Sequence, residues 1–168
     1  FQAALFNRMV VARMRANLPL ERPLDGDRIA FIDEDAPEGF AQPDLSRQTT
    51  ATSETRAQID RHCRTRRAFV VGPLVGTETV LTGGQPGEIE RTILADAGVE
   101  PEDFDLPEPY HSTGTLRPLA VHVTLQLTID EPQGGYTLRF ALPSGSYATA
   151  VTREFIGQGE LYAAVTDG

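Results

Sequence analysis

The chain has 168 residues, enough for one domain or for one domain and part of another. Asp and Glu number 24 against 15 basic residues, all of them arginine, and the net charge is -9. Cys63 is the only cysteine, so no internal disulfide forms, and no apolar run approaches the roughly 18 residues of a membrane helix.

Residues 1 to about 17 carry Leu5, Phe6, Met9, Ala12 and Ala16 close to one helical face, with Arg8, Arg13 and Arg15 mostly elsewhere, which predicts an amphipathic helix ended by Pro19. The sequence opens inside that helix on phenylalanine, so it is expected to be cut from something longer. A proline-punctuated linker, the turn Asp25-Gly26-Asp27 and a short strand over 28–32 follow, and 33–46 reads as acidic loop. Thr52 or Ser53 is placed to cap a second helix through "ETRAQIDRHCRTRR", after which 68–71 reads as a strand. "GEIERTILADAG" is a third helix, with Pro86 near its start, Glu88 and Glu90 in its first turn, and Gly98 as its stop. Leu119, Val121, Val123, Leu125, Leu127 and Ile129 alternate with smaller or polar residues, which predicts one long one-sided strand. A turn at "DEPQGG" leads to a return strand carrying Tyr136, Leu138, Phe140 and Leu142, then "PSGS" and a helix with Tyr147, Val151 and Phe155 on one face. The expected class is α+β with a mostly antiparallel sheet.

His62, Cys63, His111 and His122 lack the spacing of a zinc site, so no metal is expected. "TGGQPGEIER" imitates a phosphate loop, but it has no lysine and its glutamates would repel phosphate. A hydrolase built on Ser144 or Ser146 would need the G-x-S-x-G order, which "PSGSYA" lacks; Ser146 suits a helix cap better. Arg61, Arg64, Arg66 and Arg67 form the dense basic patch of an acidic chain. Nucleic-acid contact and a helix C-terminus attracting cations both account for it. Acidity without lysine is what a salt-adapted cytosol favours, because carboxylates stay hydrated there; arginine-biased codon usage with ordinary acidity is the plainer account.

"RFALPSGSYATAVTREFI" resembles the C-terminal signature of the TruD family of tRNA pseudouridine synthases through Leu142, Pro143, Gly145, Ser146, Tyr147, Ala148, Thr149, Arg153 and Glu154. "FQAALFNRMVVARM" resembles the family's Leu-Phe-Asn helix through Leu5, Phe6 and Asn7. "LDGDRIAF" is similar to its Gly-Asp turn, "GPLVGTETVLTGGQPGEIERTILADAGV" to part of its insertion domain, and "GTLRPLAVHV" to the arginine-bearing return into the catalytic fold.

The resemblance implies isomerisation of uridine to pseudouridine in tRNA, in the cytoplasm, with neither metal nor organic cofactor. It places 1–20 and 99–168 in the catalytic fold and 21–98 in the inserted domain. The family's catalytic aspartate sits in a Gly-x-Lys-Asp motif, and a chain without lysine cannot contain it. The expected partners are therefore tRNA and the missing N-terminal half of the same enzyme. Tyr147, Gly145, Ser146 and Arg117 are implied to contact substrate, Tyr147 by stacking and Arg117 at phosphate. Asn7, Arg153 and Glu154 are implied supports, the last two as a pair. The competing expectation is a non-catalytic RNA-binding or assembly protein derived from the same fold.

Overall fold

The computed structural model describes residues 1–36, 41–130, 134–143 and 146–156. They fall into two units, one built from Phe1–Ala36 and Ala41–His122, the other running from Val123 onward. The elements are mixed helix and antiparallel strand, an α+β fold.

The first unit opens with α1 (Gln2–Arg15), which buries Leu5, Phe6 and Met9. Asn17 then takes the left-handed conformation at φ 55°, and the Leu18 amide reaches back to the Arg13 carbonyl at 3.0 Å. The helix thus stops on an asparagine, just before the proline that the sequence marks as its end. Beyond the 25–27 turn comes β1 (Arg28–Ile32), with the bounds its pattern predicts.

Residues 33–46 do not stay loop. From Pro43 the chain forms β2 (Pro43–Thr50), antiparallel to β1, with Arg28 opposite Thr50 and a register shift between Ala30 and Phe31. It lies at the edge of the sheet with its second half exposed, so main-chain pairing defines it and no apolar alternation announces it. Next is α2 (Arg56–Arg64), whose N-cap is Thr55 rather than Thr52 or Ser53. Thr52 and Thr55 instead exchange bonds, each amide donating to the other's hydroxyl. Ile59 and Cys63 of α2 pack with Ile29, Ala51, Ala68 and Val70.

The strand β3 (Ala68–Leu74) is buried over nearly its whole length and pairs with β1 on one side and β4 (Thr115–Pro118) on the other. The sheet order is β2-β1-β3-β4, all antiparallel. Helix α3 (Gly84–Ala97) begins before Pro86 and ends at Gly98, which is left-handed at φ 65°. That early start removes Glu88 and Glu90 from the first turn, where the sequence pattern puts them. Leu5 and Met9 of α1 meet Ile93 and Leu94 of α3 in a core that also takes in Val75 and Phe104.

The alternation from Leu119 to Ile129 is not one strand. Its front end follows β4, and the Leu119 amide still donates to the Val70 carbonyl at 2.9 Å. Its far end is β5 (Leu125–Asp130), which among the described residues pairs only with β6 (Gly135–Phe140) in the second unit. A period of two reports extended backbone but not which partner takes its hydrogen bonds. The second unit also carries α4 (Ala148–Ile156).

Candidate functional site

The expected substrate-side residues divide between the two units. In the second unit, Pro143 is buried and its carbonyl accepts the Ser146 amide at 3.1 Å. Ser144 and Gly145 lie outside the described residues. Tyr147 stands at the head of α4, 58% exposed, and its carbonyl accepts the Ala150 amide at 3.0 Å. An exposed aromatic ring at a strand-to-helix corner is a surface on which a planar base can stack. One helical face carries Tyr147, Val151 and Phe155, and the Phe155 carbonyl accepts the Tyr136 hydroxyl at 3.2 Å. Arg153 and Glu154 are both exposed on α4. Consecutive helical positions do not face each other, so the geometry gives no support to a direct pair between them.

In the first unit, Arg117 of β4 lies opposite Gly72 of β3. Its guanidinium sits 5.4 Å from the centre of the Phe6 ring. Gly72 lies beside the stack: a Cβ there would meet the tip of Leu119, Cδ2, at 2.9 Å and Phe6 Cε2 at an ordinary 3.4 Å. The Leu-Phe-Asn helix therefore holds Arg117 through Phe6, while the adjacent Asn7 is exposed beside Arg8 and Arg15 in a groove between α1 and α3.

Arg61, Arg64, Arg66 and Arg67 are all exposed at the end of α2. Arg61 and Arg64 lie in the last helical turn, as cations at a C-terminus do, and the Thr65 hydroxyl donates to the Arg61 carbonyl at 3.1 Å. Arg64 is committed to Asp60 at 2.9 Å, and Asp60 also accepts Arg22 at 2.9 Å. These bonds, the Arg22 hydrogen bond foremost, hold the Asp60 carboxyl below its ordinary range. Arg66 takes the left-handed conformation at φ 59°, and Arg66 and Arg67 extend the basic surface beyond the helix.

The least expected group is buried. The sequence pattern puts Arg13 on the polar side of its helix, yet it is 4% exposed and Asp27 is 1% exposed. Arg13 Nη1 and Nη2 donate to Asp27 Oδ1 and Oδ2 at 2.6 and 2.7 Å, and Nε donates to the Pro19 carbonyl at 2.7 Å. Asp27 Oδ2 also accepts the Leu24 amide at 2.7 Å. Beside the pair lies a recess of about 20 Å³, also bounded by Phe6 and Glu90. Glu90 accepts the Thr82 amide at 2.7 Å. Burial pushes its carboxyl up, the Thr82 amide opposes that, and the charge of Asp27 adds to the rise. The Gly-Asp turn was legible in the sequence; its partner, 14 residues away on a helix, was not.

Among the described residues, no three His, Cys, Asp or Glu side chains gather as metal ligands would. His62 meets the Phe31 ring edge-on at 6.3 Å, and His111 Nδ1 lies 3.2 Å from Asp105. Burial pushes the Cys63 thiol up to about 11.

The described residues form a mixed α+β protein with antiparallel strands and an exposed aromatic ring at the head of α4. The comparisons narrow that class. The family model described as tRNA pseudouridine synthase D (TruD) matches residues 1–155. "Probable tRNA pseudouridine synthase D" of Natronomonas pharaonis is 47% identical over 155 residues, covering 92% of this chain and 34% of its own length. The protein of the same description from Halobacterium salinarum is 44% identical, covering 92% and 35%. A crystal structure of the Methanosarcina mazei protein described as "Putative tRNA pseudouridine synthase D (TruD)" superposes with a TM-score of 0.76 at 36% identity, over 92% of this chain and 36% of that one. The chain belongs to the TruD family of pseudouridine synthases. It spans about a third of the length of the curated relatives it matches.

Proposed function

We propose that this chain is the signature-bearing part of an enzyme that isomerises uridine to pseudouridine in tRNA, supplying RNA contacts and one wall of the active site. The family match over residues 1–155, with Leu142, Pro143, Tyr147, Arg153 and Glu154 of the signature in place, carries this reading. The catalytic aspartate comes from a Gly-x-Lys-Asp motif outside this lysine-free chain. On this reading 1–20 and 99–168 belong to the catalytic fold and 21–98 to the inserted domain.

Tyr147 stacks on the extruded uridine, replacing the neighbours that the base loses, a contact worth about 1–3 kcal/mol. Gly145 lets backbone approach the nucleotide, and Ser146 starts the helix carrying Arg153 and Glu154, which support the site from α4. Arg117, held by Phe6, contacts a phosphate, and Asn7 supports the same region. Arg61, Arg66 and Arg67 meet the RNA backbone, with Arg64 divided between that role and Asp60. Acidity without lysine belongs to a salt-rich cytoplasm, where the Debye length shrinks to about 3 Å near 1 M salt and only short arginine contacts, stacking and shape remain effective.

The test replaces the matching third of the Natronomonas pharaonis relative with this chain and measures pseudouridine in tRNA. An active chimera is expected, with Tyr147→Ala lowering turnover about ten- to a hundredfold and Tyr147→Phe near normal. Unchanged turnover in Tyr147→Ala would end the stacking assignment. An inactive chimera that still binds tRNA would favour the second reading, a non-catalytic RNA-binding or assembly protein.

A further inference from the structure

Among the described residues only three arginines are withdrawn from solvent: Arg13, Arg28 and Arg117. Arg13 is answered by Asp27, and Arg117 lies over the Phe6 ring. Arg28 has neither an ion pair nor a side-chain hydrogen bond among the described residues. A half-buried cation is costly without a partner, so what Arg28 borders matters.

Arg28 shares a sheet face with Ala30 and Val71. At its end of that face lies a recess of about 200 Å³, bounded also by Gln48 of β2, Glu78, Thr79, Val80 and Thr115 of β4. The rim is knit by main chain. The Thr77 amide donates to the Ser112 carbonyl at 2.9 Å, the Glu78 amide to the Thr113 carbonyl at 3.1 Å, and the Gly76 amide to Thr79 Oγ1 at 2.8 Å. Gly114, left-handed at φ 87°, passes so close that a Cβ on it would meet Thr79 Oγ1 at 2.6 Å. The recess is therefore preformed, and an occupant need not order its walls.

Size and chemistry choose the occupant. About 200 Å³ falls below the roughly 300–1,000 Å³ of a small-molecule cavity and suits one flat ring of a larger ligand. Arginine supplies only donors and glutamate only acceptors, while threonine and glutamine supply both. The Gln48 amide nitrogen donates to the Leu45 carbonyl, which leaves its oxygen as an acceptor. Glu78 would repel a phosphate, and an apolar protein layer would seal Arg28 in without a partner. The edge of an unpaired base, with donors and acceptors side by side, matches both charges. Val80, 66% exposed, offers an apolar surface to the face of the ring.

We propose that this recess takes one unpaired nucleotide of tRNA, distinct from the uridine assigned to Tyr147, with Arg28 and Glu78 on its base edge. The inference rests on the proposed function and adds to it a second point of tRNA recognition.

The experiment uses the chimera that carries this chain within the Natronomonas pharaonis relative, bound to tRNA in concentrated KCl, with dimethyl sulfate and a carbodiimide as probes of base edges. One unpaired base besides the target should be protected at least about fivefold. Arg28→Gln should abolish that protection and raise KM about tenfold with kcat within about twofold, because the contact is made equally in the ground and transition states. Arg47→Gln removes only an exposed ion pair with Glu34 and should change either quantity less than about twofold. A second readout does not depend on a variant folding: hydrogen exchange at the amides of 76–79 and 113–115 in the unaltered chimera should slow at least about threefold on binding tRNA.

An active chimera with no protected base beyond the target, with those amides unchanged, or with KM unmoved by Arg28→Gln would overturn this inference and leave the proposed function standing. So would a melting temperature lowered about 5 °C or more by Arg28→Gln in the tRNA-free chimera at unchanged KM, which would give Arg28 a partner in the enzyme's own fold. Tighter tRNA binding by Glu78→Gln would put a phosphate in the recess and overturn the base assignment. A chimera that neither binds nor modifies tRNA would overturn both this inference and the reading beneath it.

Discussion

The buried pair of Arg13 and Asp27 gives the sharpest quantitative expectation. Removing one partner leaves the other charge in a site about 95% or more shielded from water. Asp27→Ala strips Arg13 of both Nη contacts and leaves it only the Pro19 carbonyl; Arg13→Met leaves Asp27 with the Leu24 amide alone. Each single change should cost about 3–5 kcal/mol, because an uncompensated buried charge is far worse than no charge. Expressed as a melting shift, that is roughly 10–20 °C for a unit of this size. The double variant Arg13→Met, Asp27→Ala should cost about 2–4 kcal/mol, much less than the sum, since what remains is mainly an unsatisfied Leu24 amide and Pro19 carbonyl. Urea titrations of the four proteins, followed by far-ultraviolet circular dichroism, close the cycle. The coupling should hold at both low and high KCl, because buried charges are little screened. Additive single effects, or a cost below about 1 kcal/mol for Asp27→Ala, would refute the claim that this pair organises the first unit.

Two further outcomes follow from buried groups. Glu90 has its folded carboxyl raised by burial, so its charged form is disfavoured in the native state and stability falls as pH climbs from the ordinary glutamate range through the raised value. Glu90→Gln keeps an acceptor for the Thr82 amide and should flatten the part of the curve above the ordinary glutamate range; parallel curves would show that Glu90 titrates normally. Cys63, buried with its thiol at about 11, should react with a disulfide reagent near pH 8 at least about a hundredfold more slowly in the native protein than in urea, and equal rates would contradict its burial.

How far the sequence reached depends on whether each feature leaves a local trace. Helix α1, strand β1 and the stop at Gly98 are written in short patterns, and the structure has them where those patterns lie. Strand β2 left no trace because its residues are polar and half exposed, and a neighbour's hydrogen bonds make it a strand. The alternation from Leu119 to Ile129 was real as pattern and misleading as one element, since its two ends pair with β3 and β6 respectively. Arg13 shows the limit of an amphipathic reading, which sorts residues by polarity and cannot see that a cation on one side of the helix meets a buried carboxylate. Tyr147 and its flanking signature were legible as a string, and the structure adds that the ring is exposed at the helix head.

Gly26 and Gly83 meet backbone to backbone, with the Gly83 amide donating to the Gly26 carbonyl at 3.3 Å. A Cβ on Gly26, itself at φ 95°, would lie 2.3 Å from the Gly83 carbonyl carbon. Neither loop can retreat independently: Gly26 precedes the carboxylate that anchors Arg13, and Gly83 leads out of the Thr82 amide that holds Glu90. Drift at this crossing is therefore expected to be concerted. A substitution at Gly26 would need the Gly83 loop to move with it, whereas a Cβ on Gly83 would meet Gly26 Cα at an ordinary 3.5 Å and the exposed half of β2 can change one residue at a time.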